Sequence, residues 1–266
     1  MKDFQFKIPQ TIEFGMGSLK KLPEMLADSK SNNVMLVSDR GLEAIGVVKK
    51  VQDIIEAAGI KCTAYLDVKP NPTVDIVNEA AALYAECGAT CLVALGGGST
   101  MDCAKAMVYF SGLPVTFVAI PTTSGSGSEV TDFAILTHNK IKHPLVDPKL
   151  RPDLAILDSD LLQSLPKHLI AEAGFDVLCH AAEAYVAKDA GTITDLYARD
   201  AFSSAYASLP ASYAGRKEVR LKVHMAATMA GMAFTQAGLG LCHAMAHSLG
   251  GQFHLPHGRL NAILLP

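Results

Sequence analysis

Residues 91–105, CLVALGGGSTMDCAK, run from five apolar residues, Cys91–Leu95, straight through three glycines into a stretch that reads as a helix. A buried strand, a glycine turn and a helix N-terminus form a unit suited to a pyrophosphate. Glycines let the backbone approach the ligand, while the first helical N–H groups and the helix dipole favour an anion. The pattern is neither GxGxxG nor a P-loop, because no Lys-Ser/Thr pair follows the glycines. Outward from it, short apolar runs recur: VMLV at 34–37 ending in Ser38-Asp39, PVTFVAI at 114–120 ending in PTTSGSGS, and LAIL at 154–157. Between the first two, Thr73 heads a segment to Cys87 with Val74, Val77, Ala81 and Tyr84 at helical spacing, and its hydroxyl is a natural N-cap. Apolar strands alternating with helices predict an α/β domain on a largely parallel sheet over residues 1–160.

From residue 161 the strand signals stop. Residues 161–186, 194–209 and 219–249 are rich in Ala, Leu and Met and read as helices, so an all-helical domain is expected over residues 161–266. The chain is 50% hydrophobic and only 18% charged, yet no apolar run is long enough to span a bilayer. The opening MKDFQFKIPQ lacks the apolar core of a secretory signal, and a cytoplasmic protein is expected. A net charge of −3 without a basic tract speaks against a nucleic-acid partner. The six cysteines form no CxxC pair and are expected to be reduced, buried thiols.

Three further features carry chemistry. The loop at residues 121–128, PTTSGSGS, is a second strand end rich in hydroxyls and glycine, and ligands of open parallel sheets bind beyond such ends. Asp39, closing an early strand, could accept both hydroxyls of an adenosine ribose and would repel a 2′-phosphate, favouring NAD over NADP; an ordinary turn aspartate fits the position equally well. Four of the nine histidines, His243, His247, His254 and His257, fall within fifteen residues, and Asp176 and His180 stand four apart upstream. Residues four apart share one helix face, so each of the pairs 176/180 and 243/247 can aim at a single point. Imidazoles with one carboxylate suit a borderline divalent metal such as iron(II) or zinc.

Together these stretches resemble the iron-dependent (group III) alcohol dehydrogenases. The matching blocks are GGGSTMDCAKA (96–106), IPTTSGSGSEVT (120–131), LRPDLAILD (150–158), GFDVLCHAAEAY (174–185) and AGLGLCHAMAHSLGGQFHLPHG (237–258), in the family's order across nearly the whole chain. The last block is most like that of the propanol dehydrogenases of propanediol utilisation; lactaldehyde reductases and butanol dehydrogenases are near alternatives. The resemblance implies an α/β NAD-binding domain followed by a helical metal-binding domain. It makes Asp176, His180, His243 and His257 the metal ligands and places His247 beside the nicotinamide as a proton relay. Gly97, Gly98 and Ser99 match the pyrophosphate loop, Asp102 the family's cofactor-contacting aspartate, and Thr122, Thr123 and Ser126 the second cofactor loop. Asn71 and Lys142 also match cofactor-side positions.

The implied activity interconverts a short-chain primary alcohol and its aldehyde, hydride passing between a metal-held alkoxide and NAD, with Fe2+ or Zn2+ as the metal. A homodimer and association with a bacterial microcompartment are further expectations from resemblance alone. Glu183, one turn beyond His180, reads equally as an orienting partner for a ligand imidazole or as an ordinary helix carboxylate. Family members continue with further helices beyond NAILLP, so the chain is expected to be shorter than they are. Two other functions stay open on sequence: a catalytically silent fragment that keeps its sites, and a dehydroquinate-synthase-like lyase.

Overall fold

A computed structural model describes residues 8, 11–112, 115–139 and 141–265. It divides into two compact units: residues 11–122 with 132–161, and residues 123–131 with 162–265. In chain order the first unit holds β1 (Thr11–Phe14), α1 (Leu22–Asp28), β2 (Asn33–Val37), α2 (Arg40–Ala44), α3 (Val47–Ala57), β3 (Lys61–Tyr65), α4 (Val74–Cys87), β4 (Cys91–Gly96), α5 (Gly98–Ser111), β5 (Thr116–Pro121), β6 (Phe133–His138), β7 (Ile141–Val146) and β8 (Leu154–Leu157). Among the described residues six strands form one parallel sheet in the order β1-β8-β5-β4-β2-β3, and β6 and β7 pair as a separate antiparallel hairpin.

Strand alternation builds a core on each face of this sheet. Met35 and Val37 of β2 join Leu92, Ala94, Phe117 and Ala119 in one cluster, whereas Val34 and Leu36 join Cys91, Val93, Leu95, Val118 and Ile120 in the other. Burial on both faces explains why β4 reads as an unbroken apolar run. The expected strands at 34–37, 91–95 and 154–157 are present within a residue. That at 114–120 is strand over Thr116–Pro121, its predicted first residue, Pro114, lying outside the described residues. Most of the opening decapeptide MKDFQFKIPQ also lies outside them. Thr73 caps α4, its Oγ1 accepting the Ile76 N–H at 3.4 Å.

The second unit is helical: α6 (Lys167–Val186), α7 (Thr192–Tyr213), α8 (Arg220–Ala237), α9 (Leu241–Phe253) and α10 (His257–Leu264). Its apolar centre joins Val177 and Ala181 of α6, Ala201 and Ala205 of α7, and Ala226 and Ala230 of α8. Small side chains at these positions let the helices approach closely. The loop at 123–131 belongs to this unit, and Gly127 shows why. At φ +61° it takes a conformation that glycine favours, and a Cβ there would stand 2.7 Å from the Ala227 carbonyl and 2.8 Å from Gly231 Cα.

Two sequence expectations need correction. The helix expected at 161–186 begins only at Lys167, after Pro166, and Ser159–Leu162 forms a separate short 3-10 turn. The single helix expected over 219–249 is two. Gly238, at φ +85° and ψ −179°, takes a backbone conformation closed to other residues and ends α8; α9 starts afresh after Gly240. That break aims His243 independently of α8.

Candidate metal and cofactor site

The four expected ligand residues come together. Asp176 and His180 lie one turn apart on α6, His243 in the first turn of α9, and His257 opens α10. Each offers an atom that lies within 4.8 Å of those of the others. His243 Nε2 is 3.6 Å and His257 Nε2 3.5 Å from Asp176 Oδ1, and His180 Nδ1 is 3.9 Å from Asp176 Oδ2. Atoms bonded to one tetrahedral ion at about 2.1 Å stand roughly 3.4 Å apart, close to these spacings. His180 Nδ1 is buried and has no hydrogen-bond partner in the structure, which in a folded interior calls for a ligand. Donor types and spacing both fit a divalent transition metal.

Electrostatics agree with that fit. Burial drives the His180 imidazole down to about 3, against the pull of Asp176, and it lies stacked between Phe234 and His243 at 4.4 Å from each. It is therefore a neutral ring, the form that ligates. Burial also opposes charge on Asp176, but the His180, His257 and His243 rings more than reverse this and hold its carboxyl well below the usual range. His243 behaves differently. Desolvation lowers its pKa, yet Asp176 on one side and Glu183 on the other raise it to about 9. The focus of the cluster favours positive charge.

Glu183 settles as an orienting partner. It sits on α6 one turn past His180, and its carboxylate bonds His243 Nδ1. It also accepts the backbone N–H of Cys242 at 2.8 Å and of His243 at 3.2 Å, donors that the first turn of α9 leaves unsatisfied. With Nδ1 committed to Glu183, Nε2 is the atom turned toward Asp176. Gly240 permits this approach, since a Cβ there would stand 2.7 Å from Glu183 Oε1. Gly258 does the same for α10: a Cβ would run into the backbone carbonyl of Glu172, so only glycine lets His257 come this close to α6.

Of the remaining residues, His247 stacks on His257 with ring centroids 4.8 Å apart, at the half-buried edge of the cluster. His254 ends α9 in the left-handed region, exposed and outside the cluster. Cys179 and Cys242 pack against each other, sulfurs 3.3 Å apart, and burial pushes both thiols up, which disfavours thiolate ligation. Asn261, not singled out by sequence, is fully buried at the centre: its amide nitrogen is 2.6 Å from Asp176 Oδ1 and 3.1 Å from both His243 Nε2 and His257 Nε2. The signal available was its spacing, four residues after His257.

In the α/β unit, Gly97 is the N-cap of α5, and Gly98 and Ser99 open the helix with their N–H groups unused by helical pairing. Ser99 Oγ accepts the Asn71 N–H at 3.3 Å, and Asn71 holds a left-handed φ of +56°. The Thr122 N–H donates to Gly96 O at 3.0 Å, setting the ends of β4 and β5 side by side. Asp102 is raised to about 7 by burial, which outweighs the charge of Lys105, the backbone N–H of Ile135 and the charge of Lys142 on β7. Asp39 spends one oxygen capping α2, accepting the Leu42 N–H at 3.0 Å. Thr123 and Ser126 fall in the other unit, Ser126 Oγ accepting the Ser128 N–H at 3.3 Å.

Residues 9–159 match the iron-containing alcohol dehydrogenase family model, and residues 170–266 match the model of that family's C-terminal part. The chain belongs to the iron-containing alcohol dehydrogenase family. It is 40% identical to the NADPH-dependent butanol dehydrogenase of Clostridium saccharobutylicum, over 98% of this chain and 72% of that protein. It is also 40% identical to the 1-propanol dehydrogenase PduQ of Citrobacter freundii, over 98% of this chain and 71% of that one. The fold is that of the family's solved relatives. The sulfoacetaldehyde reductase of Bifidobacterium kashiwanohense, solved in complex with NAD+, superposes with a TM-score of 0.92 at 29% identity, over 98% of this chain and 74% of that one. The chain spans about a third of the length of the aldehyde-alcohol dehydrogenases it matches. Among the described residues no helix is long and apolar enough to cross a membrane.

Proposed function

We propose that the chain is a nicotinamide- and metal-dependent oxidoreductase that interconverts a short-chain primary alcohol, of the size of propanol, with its aldehyde. The observation that carries the proposal is the convergence of Asp176, His180, His243 and His257, one carboxylate and three imidazoles, on one buried point. A divalent ion held there supplies Lewis acidity toward an alcohol or carbonyl oxygen. Asp176 provides the set's only negative charge, and Glu183 fixes which nitrogen His243 presents. The α5 N-terminus at Gly97, Gly98 and Ser99 is suited to the cofactor pyrophosphate, and Thr122, Thr123, Ser126, Asn71, Asp102 and Lys142 complete the proposed cofactor residues.

NAD(H) is the proposed cofactor. Asp39 has Glu43 and Asp67 for company, and the one guanidinium at that place, Arg40, is already paired with both of them. Three carboxylates against one engaged cation disfavour a 2′-phosphate. Homodimer formation and microcompartment association belong to the same proposal and rest on likeness to the 1-propanol dehydrogenases alone. With iron(II) and propanal under anaerobic conditions, the chain should consume NADH faster than NADPH, followed by absorbance. Metal binding without consumption of either cofactor would overturn the enzymatic reading, and preference for NADPH would overturn the role of Asp39.

His247 is the proposed proton relay. It lies one turn past His243 and against His257, with its ring only half buried, so a proton can pass from the site toward solvent. His247→Ala should keep its metal and lose roughly a hundredfold in turnover at neutral pH, the lower end of the usual range for a general acid–base group. Loss of metal with full turnover on reconstitution would remove the relay and make His247 a supporting residue.

A further inference from the structure

Asn261 sits one helical turn after His257 on α10 and is fully buried. Its carboxamide has two N–H donors, and two acceptors lie within reach of the nitrogen, Asp176 Oδ1 at 2.6 Å and His257 Nε2 at 3.1 Å, with His243 Nε2 also 3.1 Å away. The oxygen end faces the Cys242 thiol, Sγ to Oδ1 being 3.8 Å, so a weak donor meets the acceptor end and the donor end meets acceptors. Both acceptors carry lone pairs proposed to bind the ion. A lone pair that accepts an N–H cannot also coordinate a cation.

We infer that Asn261 is a built-in competitor of the metal: its amide satisfies two of the ligand lone pairs, on Asp176 and His257, when no ion is bound and must give them up when one binds. The inference rests on the metal-site reading above. Buried carboxylates and imidazoles that converge on one point are costly without a positive or donor group at the focus. Asn261 supplies that group from within the chain, holding the site together at the expense of affinity. A residue that only packed α10 would support metal-free and metal-bound protein alike. One that steadied Asp176 in the bound form would strengthen binding.

Zinc(II) affinity is measured by competition with a fluorescent chelator, and unfolding midpoints are taken on chelator-stripped and zinc-loaded protein. Asn261→Ala should melt about 5 °C lower when stripped, from the loss of donors to buried acceptors, and nearly unchanged when loaded. By linkage it should then bind zinc about tenfold more tightly than wild type. If the stripped alanine variant does not fold, Asn261→Ser, which keeps one hydroxyl donor, should show the same signs with smaller amplitude. Unchanged or weaker zinc binding in the variant overturns the inference while leaving the metal site intact. A wild-type chain that binds no zinc removes the metal reading and this inference together.

Discussion

His257→Ala should emerge from gel filtration without bound metal and reduce aldehyde only at background rate, while His254→Ala, changed three residues earlier, keeps both. His257 completes the proposed ligand set, its Nε2 3.5 Å from Asp176 Oδ1, whereas His254 is exposed at the end of α9. A four-ligand site of this type is worth roughly 10–16 kcal/mol, so one ligand accounts for roughly 3 kcal/mol and its loss lowers affinity more than a hundredfold. The His257 side chain is 27% exposed, so its truncation leaves a shallow gap and costs little fold stability. The variant should therefore unfold within a few degrees of stripped wild type, which separates loss of ligand from loss of structure. Elemental analysis of the anaerobically purified variant checks it. A fully metallated, active His257→Ala protein would remove His257 from the ligand set.

The central strands were legible because burial on two faces writes a continuous apolar run, and β2, β4, β5 and β8 all lie inside the sheet. The two edge strands left no such mark. β1, TIEF, has no fully buried residue, and β3, KCTAY, buries only Tyr65. Half-solvated edges do not need apolar side chains on both faces, and their sequences pass for loops. β7 was hidden for another reason: Pro144 interrupts its pattern, which is tolerated because the two-stranded hairpin leaves its outer side unpaired. The helix break at Gly238 was equally silent, since one glycine in a run of Ala and Met reads as a tolerated lapse in a helix.

The same distinction governs the site. Asp176 with His180 was readable from spacing, because the i, i+4 relation is intrinsic to a helix. The joining of α6, α9 and α10 came from the resemblance, not from local sequence. Glu183 was readable only as an alternative, since its role depends on where α9 begins. Asn261 carried no signal by residue type: an asparagine in a short helix is commonplace, and its position at the ligand focus arises only when Gly258 lets α10 approach α6. Contacts made by chain packing, rather than by periodicity, were the part that sequence did not disclose.

Glu183→Ala should show the second large effect, and on two readouts at once. Its carboxylate does two jobs at the start of α9. It accepts the N–H groups of Cys242 and His243, which no residue of α9 itself can satisfy because the N-cap, Gly240, has no side chain. It also takes His243 Nδ1 and so fixes the ring proposed to ligate through Nε2. Losing an N-cap costs about 1 kcal/mol, and leaving buried donors unpaired adds about 1–3 kcal/mol, so stripped protein should lose roughly 3 kcal/mol in denaturant unfolding. Metal affinity should fall about 10–100-fold, the usual effect of removing a partner that orients a ligand. Glu183→Gln tests the two roles separately. Its amide oxygen can still accept one backbone N–H, but its NH2 group meets a donor on the other side, so it should recover part of the stability and little of the affinity. Gly240→Ala should mimic Glu183→Ala while keeping the carboxylate, because the added Cβ would press on Oε1 and push it off the helix end. If Glu183→Ala weakens metal binding but leaves the stripped protein as stable as wild type, Glu183 orients His243 and does not cap α9; if stability falls and affinity holds, the reverse is true.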